Sequence, residues 1–235
     1  MKEVAAFPLG GRPLAVWIDP RPRPGPLLMA LDEALLARAG SPVLRCYRWK
    51  GPWVSIGCFV PRSEAEAAFP GRPLVRRWTG GGIVDHADDW TYSLVIPRAD
   101  PLATAGTATS YRTIHSALAR ALTACGLAAD LADAPVPGRG GLCFAGPVLA
   151  DVVCDGRKVA GAAQRRTRHG LLHQGSLQGI TIPDGLAETL ASCLHPGPVT
   201  IGQTTTREVV RAARLLVLQR YGRPEWLDGP APARG

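Results

Sequence analysis

The sequence has no run of about twenty apolar residues, so no transmembrane helix is expected and a membrane is not an expected partner. Its first residues, MKEVAAFPLGGRPLAVWIDP, carry charges at Lys2 and Glu3 and lack the long apolar centre of a secretory signal. The cysteines at 46, 58, 125, 143, 154 and 193 form no Cys-x-x-Cys pair and show no Cys/His ligand spacing, which argues against zinc, and no metal site is expected. Without export they are expected to be free thiols in a reducing cytoplasm. Aromatic residues make up only 6% of the chain and are scattered, whereas a nucleic-acid-binding module wants them interleaved with a basic face. Acidic side chains are the minority, 19 against 27 lysines and arginines, and the net charge of +8 favours an anionic partner. The arginines cluster beside glycine-rich loops, which suits a phosphate or an acidic carrier better than nucleic acid. There is no internal repeat and no regular βαβ alternation, so the expected class is α+β, a mixed sheet flanked by helices.

What is present suffices for one sizeable core. Residues 1–221 read as a single domain and 222–235 as a disordered tail. Apolar periodicity predicts helices over Leu27–Ala39, Ser63–Phe69, Ser110–Cys125, Asp184–Leu194 and Thr206–Tyr221. Ser110 is placed to cap the third, and Thr205-x-x-Glu208 resembles a capping box for the last. Asp32 and Glu33 in the first helix read as solvated charges. His115 in the third reads as structural. Val43–Trp49 and Trp53–Cys58 are expected to pair as strands across Lys50-Gly51-Pro52, and Leu14–Ile18 is a further strand.

Two stretches carry the chemistry. In LVRRWTGGGIVDHADDWTYSLVIP (74–97), a strand runs into Gly80-Gly81-Gly82, where three glycines let backbone N–H groups approach a ligand closely. Arg76, Arg77 and His86 flank that loop. It is neither a Walker loop nor a GxGxxG fingerprint. The second stretch, ADVVCDGRKVAGAA, reads as a hairpin across Asp155-Gly156, a pair that tolerates the positive φ of a two-residue turn. The register then sets Cys154 opposite Arg157, Val153 opposite Lys158 and Val152 opposite Val159. Asp151, Val153, Lys158 and Ala160 fall on one side of the sheet. Lys158 is thus an ammonium among small and apolar neighbours, either an edge-strand lysine that discourages aggregation or a functional charge. A third strand, Gly170–Leu177, carries His173.

RRWTGGGIVDH followed by TYS, and then DGRKVAGAAQRRTRHGLLHQGS, resembles the lipoate–protein ligase and octanoyltransferase family, which shares its catalytic fold with biotin protein ligases. MALDEALL at 29–36, LRCYRW at 44–49 and WVSIGC at 53–58 extend the resemblance over residues 27–180. It implies a mixed sheet flanked by helices and a site that passes a medium-length acyl chain to a lysine on a carrier domain. Gly80, Gly81, Gly82 and Lys158 would line that site, with Arg76, Arg77, His86, Gly161, Gln164 and His173 as further substrate-binding candidates.

The family divides by mechanism. ATP-dependent ligases, which use ATP and Mg, make an acyl-adenylate. Transferases need no cofactor and take the acyl group from an acyl carrier protein thioester through a cysteine acyl-enzyme. Cys143-Phe144-Ala145-Gly146-Pro147 resembles the cysteine segment of one transferase branch, which makes Cys143 the implied nucleophile and Lys158 its partner; a buried structural thiol is the alternative. The ammonium would stabilise both the thiolate and the oxyanion. Lipoyl domains or a glycine cleavage H-type protein are the implied acceptors, with His86 and His173 as candidate bases. Gly82 departs from the arginine usual in that branch and is more typical of ligases. The chain is expected to end near the close of the catalytic domain, leaving no room for the accessory domain that many ligases append. Transferase is therefore the first reading and ligase the second. Non-catalytic acyl binding and biotin ligation are the remaining rivals.

Overall fold

In chain order, the strands of the computed structural model are β1 (Ala15–Ile18), β2 (Val43–Tyr47), β3 (Val54–Ile56), β4 (Leu74–Arg76), β5 (Ile83–Asp85), β6 (Trp90–Pro97), β7 (Ala129–Leu131), β8 (Val152–Cys154), β9 (Arg157–Thr167), β10 (Gly170–Leu177) and β11 (Val199–Thr200). The helices are α1 (Gly25–Arg38), α2 (Arg62–Ala68), α3 (Pro101–Thr104), α4 (Thr107–Ala124), α5 (Leu186–Leu194), α6 (Gln203–Leu216), which continues as a π turn over Val217–Tyr221, and α7 (Pro224–Asp228). The structure describes residues 8, 9, 11–135 and 146–229, apart from the side chain of Thr204.

One sheet has the order β11-β1-β2-β6-β10-β9-β8-β7, and a second has the order β4-β3-β5. Pairing is parallel at β11–β1 and β1–β2 and antiparallel from β2 to β7, which makes the main sheet mixed. The two-residue period of β6 and β10 divides the core. Leu94, Ile96 and Leu171 pack with Ile114 and Leu118 of α4 and Leu190 of α5. Val95 and Leu172 turn the other way, against Leu28 and Leu31 of α1 and Val209 and Ala213 of α6. The expected α+β class and its flanking helices are borne out.

Several local expectations are corrected. β2 and β3 do not pair: both edges of β2 are taken by β1 and β6, and the chain turns at Gly51 (φ 93°) to start the second sheet. Val152 opposes Ala160 rather than Val159, because a bulge interrupts the β8–β9 register. The extra residue sends both Val159 and Ala160 into the core, so Ala160 does not share the face of Lys158. Helix α4 starts at Thr107 with Gly106 as its cap, and Ser110 donates back to Gly106 and Thr107 from within its first turn. Gly202 is the cap of α6, not Thr205. Part of the tail expected to be disordered is helical: Pro224–Asp228 forms α7, and Trp226 Nε1 donates to the carbonyl of Arg76 at 3.1 Å.

Asp32 and Glu33 are not solvated helix charges. Asp32 is fully buried, 2.6 Å from Arg45 Nη1, and accepts from Ser93 and Gln174. Glu33 accepts from Arg220 and Tyr221. Helix α1 is apolar almost all round, so sheet and α6 cover it on both sides and bring these partners with them. Among the described residues no helix is long and apolar enough to cross a membrane.

Candidate active site

Between the two sheets lies a cavity of about 380 Å³, within the usual range for small-molecule sites. The glycine loop forms one wall and β9–β10 the facing one, with Met29, Trp49 and Val84 supplying apolar surface.

The glycine loop is held from behind. Arg77 follows β4, and its guanidinium turns inward, where Nη2 donates to the carbonyls of Gly80 and Gly82, both at 2.9 Å. Its Nη1 donates to the carbonyl and hydroxyl of Ser55. Gly57 makes this packing possible: a Cβ there would lie 1.9 Å from the carbonyl oxygen of Gly81, which itself takes φ 82°. Gly81 and Gly82 line the cavity, while Gly80 supports the turn. Strand alternation sends Arg76 the other way, where it donates to the carbonyls of Gly57, Cys58, Val60 and Leu227. Arg76, expected near substrate, therefore belongs to the contact between β4 and α7.

His86 lines the cavity, stacked on Trp49 with ring centroids 3.9 Å apart. Its Nδ1 lies 2.6 Å from Asp89 and its Nε2 2.6 Å from Ser55 Oγ. With Nδ1–H donating to Asp89, Nε2 is left to accept the Ser55 proton. Asp89 also accepts from Thr91 and Ser176. The result is a continuous Asp–His–Ser chain ending on the cavity wall.

Lys158 stands on the opposite wall, with Nζ 2.8 Å from Asp151 Oδ2 and only 7% of the side chain exposed. The bulge at Val159 brings Gly161 rather than Ala160 alongside it. A Cβ on Gly161 would sit 2.8 Å from Lys158 Cε and 2.9 Å from Nζ, so the bare glycine is the space the lysine occupies. Asp151 is fully buried and is fixed by the amide of Val148 and by Tyr111 Oη at 2.5 Å. Burial and the Asp151 charge push the Tyr111 phenol up, which keeps it a donor. The residue before Asp151, Ala150, takes φ 66°. His115 Nδ1 donates to its carbonyl at 2.7 Å, and burial drives His115 down to about 4, so the ring stays neutral. His115 is structural, as its helical position implied, and its structure serves the Asp151–Lys158 pair.

Gln164 and His173 are brought together, but not on the cavity. They are cross-strand partners in β9 and β10, bonded Nε2 to Nδ1 at 3.1 Å on the α4 side of the sheet. His173 is fully buried, burial lowers its pKa well below the usual range, and its other nitrogen meets Tyr92. It is thus no base for this cavity. The neighbouring parity delivers Gln174 and Ser176 instead: Gln174 donates to Asp32 and accepts from Thr79, tying α1 to the start of the glycine loop.

Sequence reasoning missed Ser55, Tyr111, Asp89 and Gln174, which come from four separate elements and acquire meaning only when the sheets meet. Asp151 was placed on the lysine's face by alternation. Cys143, the candidate nucleophile, lies outside the described residues. Among the described cysteines none lines the cavity, and burial raises those at 46, 58 and 154.

Comparison with known proteins follows this geometry. The profile of the lipoyl protein ligase A/B catalytic domain matches residues 26–220. Octanoyltransferase LipM of Oceanobacillus iheyensis is 36% identical over 171 residues, covering 68% of this chain and 62% of the relative. The LipM of Moorella thermoacetica is 38% identical over 161 residues, covering 63% and 59%. The chain thus spans about three fifths of the length of these relatives. A Thermoplasma acidophilum protein of the lipoate protein ligase type, solved with lipoic acid bound, shares the fold with a TM-score of 0.72 at 21% identity, over 93% of this chain and 100% of that one. With its motifs, fold and profile in agreement, the chain belongs to the lipoyl protein ligase A/B catalytic-domain family.

Proposed function

We propose that this protein is an octanoyltransferase that moves a medium-length acyl group from a carrier-protein thioester, through an acyl-enzyme on Cys143, to a lysine of a lipoyl domain. The observation that carries the reading is Lys158, a buried ammonium on the wall of a partly apolar cavity, anchored by Asp151 and given room by Gly161. The likeness to LipM enzymes supports transferase over ligase. Cys143 stands three positions before Gly146 in the sequence, and Gly146 lines the same cavity.

In the first step the Cys143 thiolate attacks the thioester carbonyl. The C–S bond to the carrier breaks, the carrier thiolate leaves, and Lys158 stabilises both the thiolate and the oxyanion. Exchange of one thioester for another is near isoenergetic, so the step needs no cofactor. In the second step the acceptor lysine loses a proton to Ser55 Oγ as Ser55 passes its own to His86 Nε2, and Asp89 balances the imidazolium. The amine then attacks the acyl-enzyme carbonyl, the C–S bond breaks as the amide forms, and the second amine proton leaves with the Cys143 sulfur as its thiol. Arg77 and the glycine loop hold the cavity wall. No other residue is assigned a chemical role.

Intact-protein mass spectrometry after incubation with octanoyl-acyl carrier protein, without ATP, tests this on wild type, Cys143→Ala and Lys158→Ala. The expected result is a hydroxylamine-labile octanoyl adduct, absent from Cys143→Ala and slow to form on Lys158→Ala. No adduct, but lipoate-dependent pyrophosphate release with ATP and magnesium, would establish the ligase reading instead.

A further inference from the structure

A second concavity, of about 1010 Å³, lies between the β11 edge of the main sheet and α6, and it shares no lining residue with the acyl cavity. Helix α6 turns Val209, Ala212 and Ala213 onto α1. Its opposite face carries Arg207, Arg211 and Arg214, spaced to stand in one row along the groove. Arg21 and Arg23, from the segment after β1, complete the rim. Arg23 is occupied by Asp19 at 2.7 Å. Arg21, Arg207, Arg211 and Arg214 are exposed and have no ion-pair partner among the described residues. Like charges one turn apart on a helix repel; the carboxylates on the groove are Asp19, which pairs with Arg23 and Arg45, and Glu188, and neither forms an ion pair with this row. The floor is apolar and open, with Ile18 46% and Val199 49% exposed.

These features specify the occupant. The row from Arg207 to Arg214 extends about 10 Å along the helix, and its residues are exposed, which suits an extended acidic face better than a single phosphate. Trp17, the aromatic ring on the groove, is only 7% exposed and offers no stacking platform for nucleic-acid bases. One link from the groove to the active site runs through Arg23, which bridges to Trp49 and whose carbonyl accepts from the Lys50 amide at 2.8 Å, while Trp49 lines the acyl cavity. An acceptor lysine is short and must bring its domain directly over the cavity. A carrier that presents its thioester on a long flexible arm can dock to one side and reach in.

We infer that the Arg207–Arg211–Arg214 groove is the docking surface for the acidic face of the acyl-donor carrier protein, an inference that rests on the transferase reading above. Docking there places the carrier next to the segment that leads from Arg23 to Trp49. Electrostatic recognition of this kind acts on encounter and weakens with salt.

The test compares octanoyl-acyl carrier protein with octanoyl-pantetheine, which has the arm without the protein, for wild type, the triple variant Arg207→Glu/Arg211→Glu/Arg214→Glu and the triple Arg→Lys variant. The glutamate variant is expected to raise KM for the carrier donor by about tenfold or more while kcat, the octanoyl-pantetheine kinetics and the KM for the lipoyl domain stay at wild type. The lysine variant keeps the charge and is expected to keep the wild-type KM. Equal losses on both donors, an unchanged carrier KM, a rise confined to the lipoyl-domain KM, or an effect only on single-stranded nucleic-acid binding would each overturn the assignment. If wild type transfers from neither donor, the transferase reading itself fails, and that outcome is distinct from a docking failure.

Discussion

Replacing Gly161 with alanine should disable the chemistry while sparing the fold. The added Cβ would meet Lys158 Cε at 2.8 Å and Nζ at 2.9 Å, whereas ordinary contacts begin at 3.4 Å. The lysine tip must therefore retreat by about 0.6 Å or more, because close repulsion rises steeply. Both of these atoms belong to a flexible side chain, so the retreat is cheap, but it loosens the 2.8 Å ion pair with Asp151. A misplacement approaching 1 Å costs on the order of 10²-fold in rate, or about 2.7 kcal/mol of transition-state stabilisation. Against this, Gly→Ala at an ordinary strand φ stabilises by about 0.4–1 kcal/mol through the unfolded chain. Quench-flow mass spectrometry of octanoyl adduct formation is expected to show acylation about 10²-fold slower, with Tm within about 4 °C of wild type. A double-mutant cycle isolates the cause: in a Lys158→Ala background the alanine has nothing to displace and should add no further loss. Wild-type acylation by Gly161→Ala, or a double variant far slower than Lys158→Ala alone, would refute the reasoning.

Ser55→Ala and His86→Gln should leave acylation near wild type and slow transfer to the lipoyl domain by about 10²-fold, seen as accumulated acyl-enzyme; equal slowing of both steps would place the chain elsewhere in the mechanism. Gly57→Ala contrasts with Gly161→Ala, because its Cβ would lie 1.9 Å from a backbone oxygen that cannot swing aside. Loss of about 3 kcal/mol or more is expected in urea unfolding, since overpacking against backbone must move the glycine loop. His115 titrates near 4 when folded and near 6.5 when unfolded. Below pH 6.5 the unfolded chain takes up a proton that the folded chain refuses, so stability falls as pH drops from about 6.5 to 4 and then levels, by about 3 kcal/mol for this group. His115→Gln should flatten that part of the pH profile of the urea midpoint, and an unchanged slope would discount His115 as its source.

The glycine loop, the lysine hairpin and the α+β class were legible because each rests on short-range rules: turn chemistry at Asp155-Gly156, a glycine run after a strand, and helical periodicity. What failed was parity and pairing. A one-residue bulge at Val159 is invisible in sequence yet decides that Gly161, not Ala160, stands beside Lys158. His173 and Gln164 share a motif with Lys158 but fall on the opposite face, where alternation places them against Tyr92 and Ser110. Arg76 and Arg77 look alike in a row, and one strand step sends the first to α7 and the second to the glycine loop. The Asp89–His86–Ser55 chain needed β3, β5 and the turn before β6 to be brought together, and no local pattern marks Ser55. Charge in a helix also misled: Asp32 is a core residue because Arg45 and Gln174 arrive from distant strands.

Those distant partners also determine how the site can work. Arg77 spends its guanidinium on the Ser55 carbonyl and hydroxyl and on the carbonyls of Gly80 and Gly82, and the Asp32–Gln174–Thr79 chain ties the loop's entry to α1. Freeing a buried acceptor from a charged donor costs about 1.5–3 kcal/mol per hydrogen bond, so lifting this loop would break several such bonds at once. The glycine loop is therefore a fixed wall rather than a lid, and the proposed acyl group would enter a cavity already formed between the sheets. A preformed wall suits the two-step exchange proposed here, because the same surface must hold the acyl group while one partner leaves and the next arrives. The Lys158–Asp151 pair follows the same logic: a buried ammonium needs a counter-charge to persist, and the carboxylate that supplies it is locked by Tyr111 and Val148, which would hold the lysine in one position through both proposed steps.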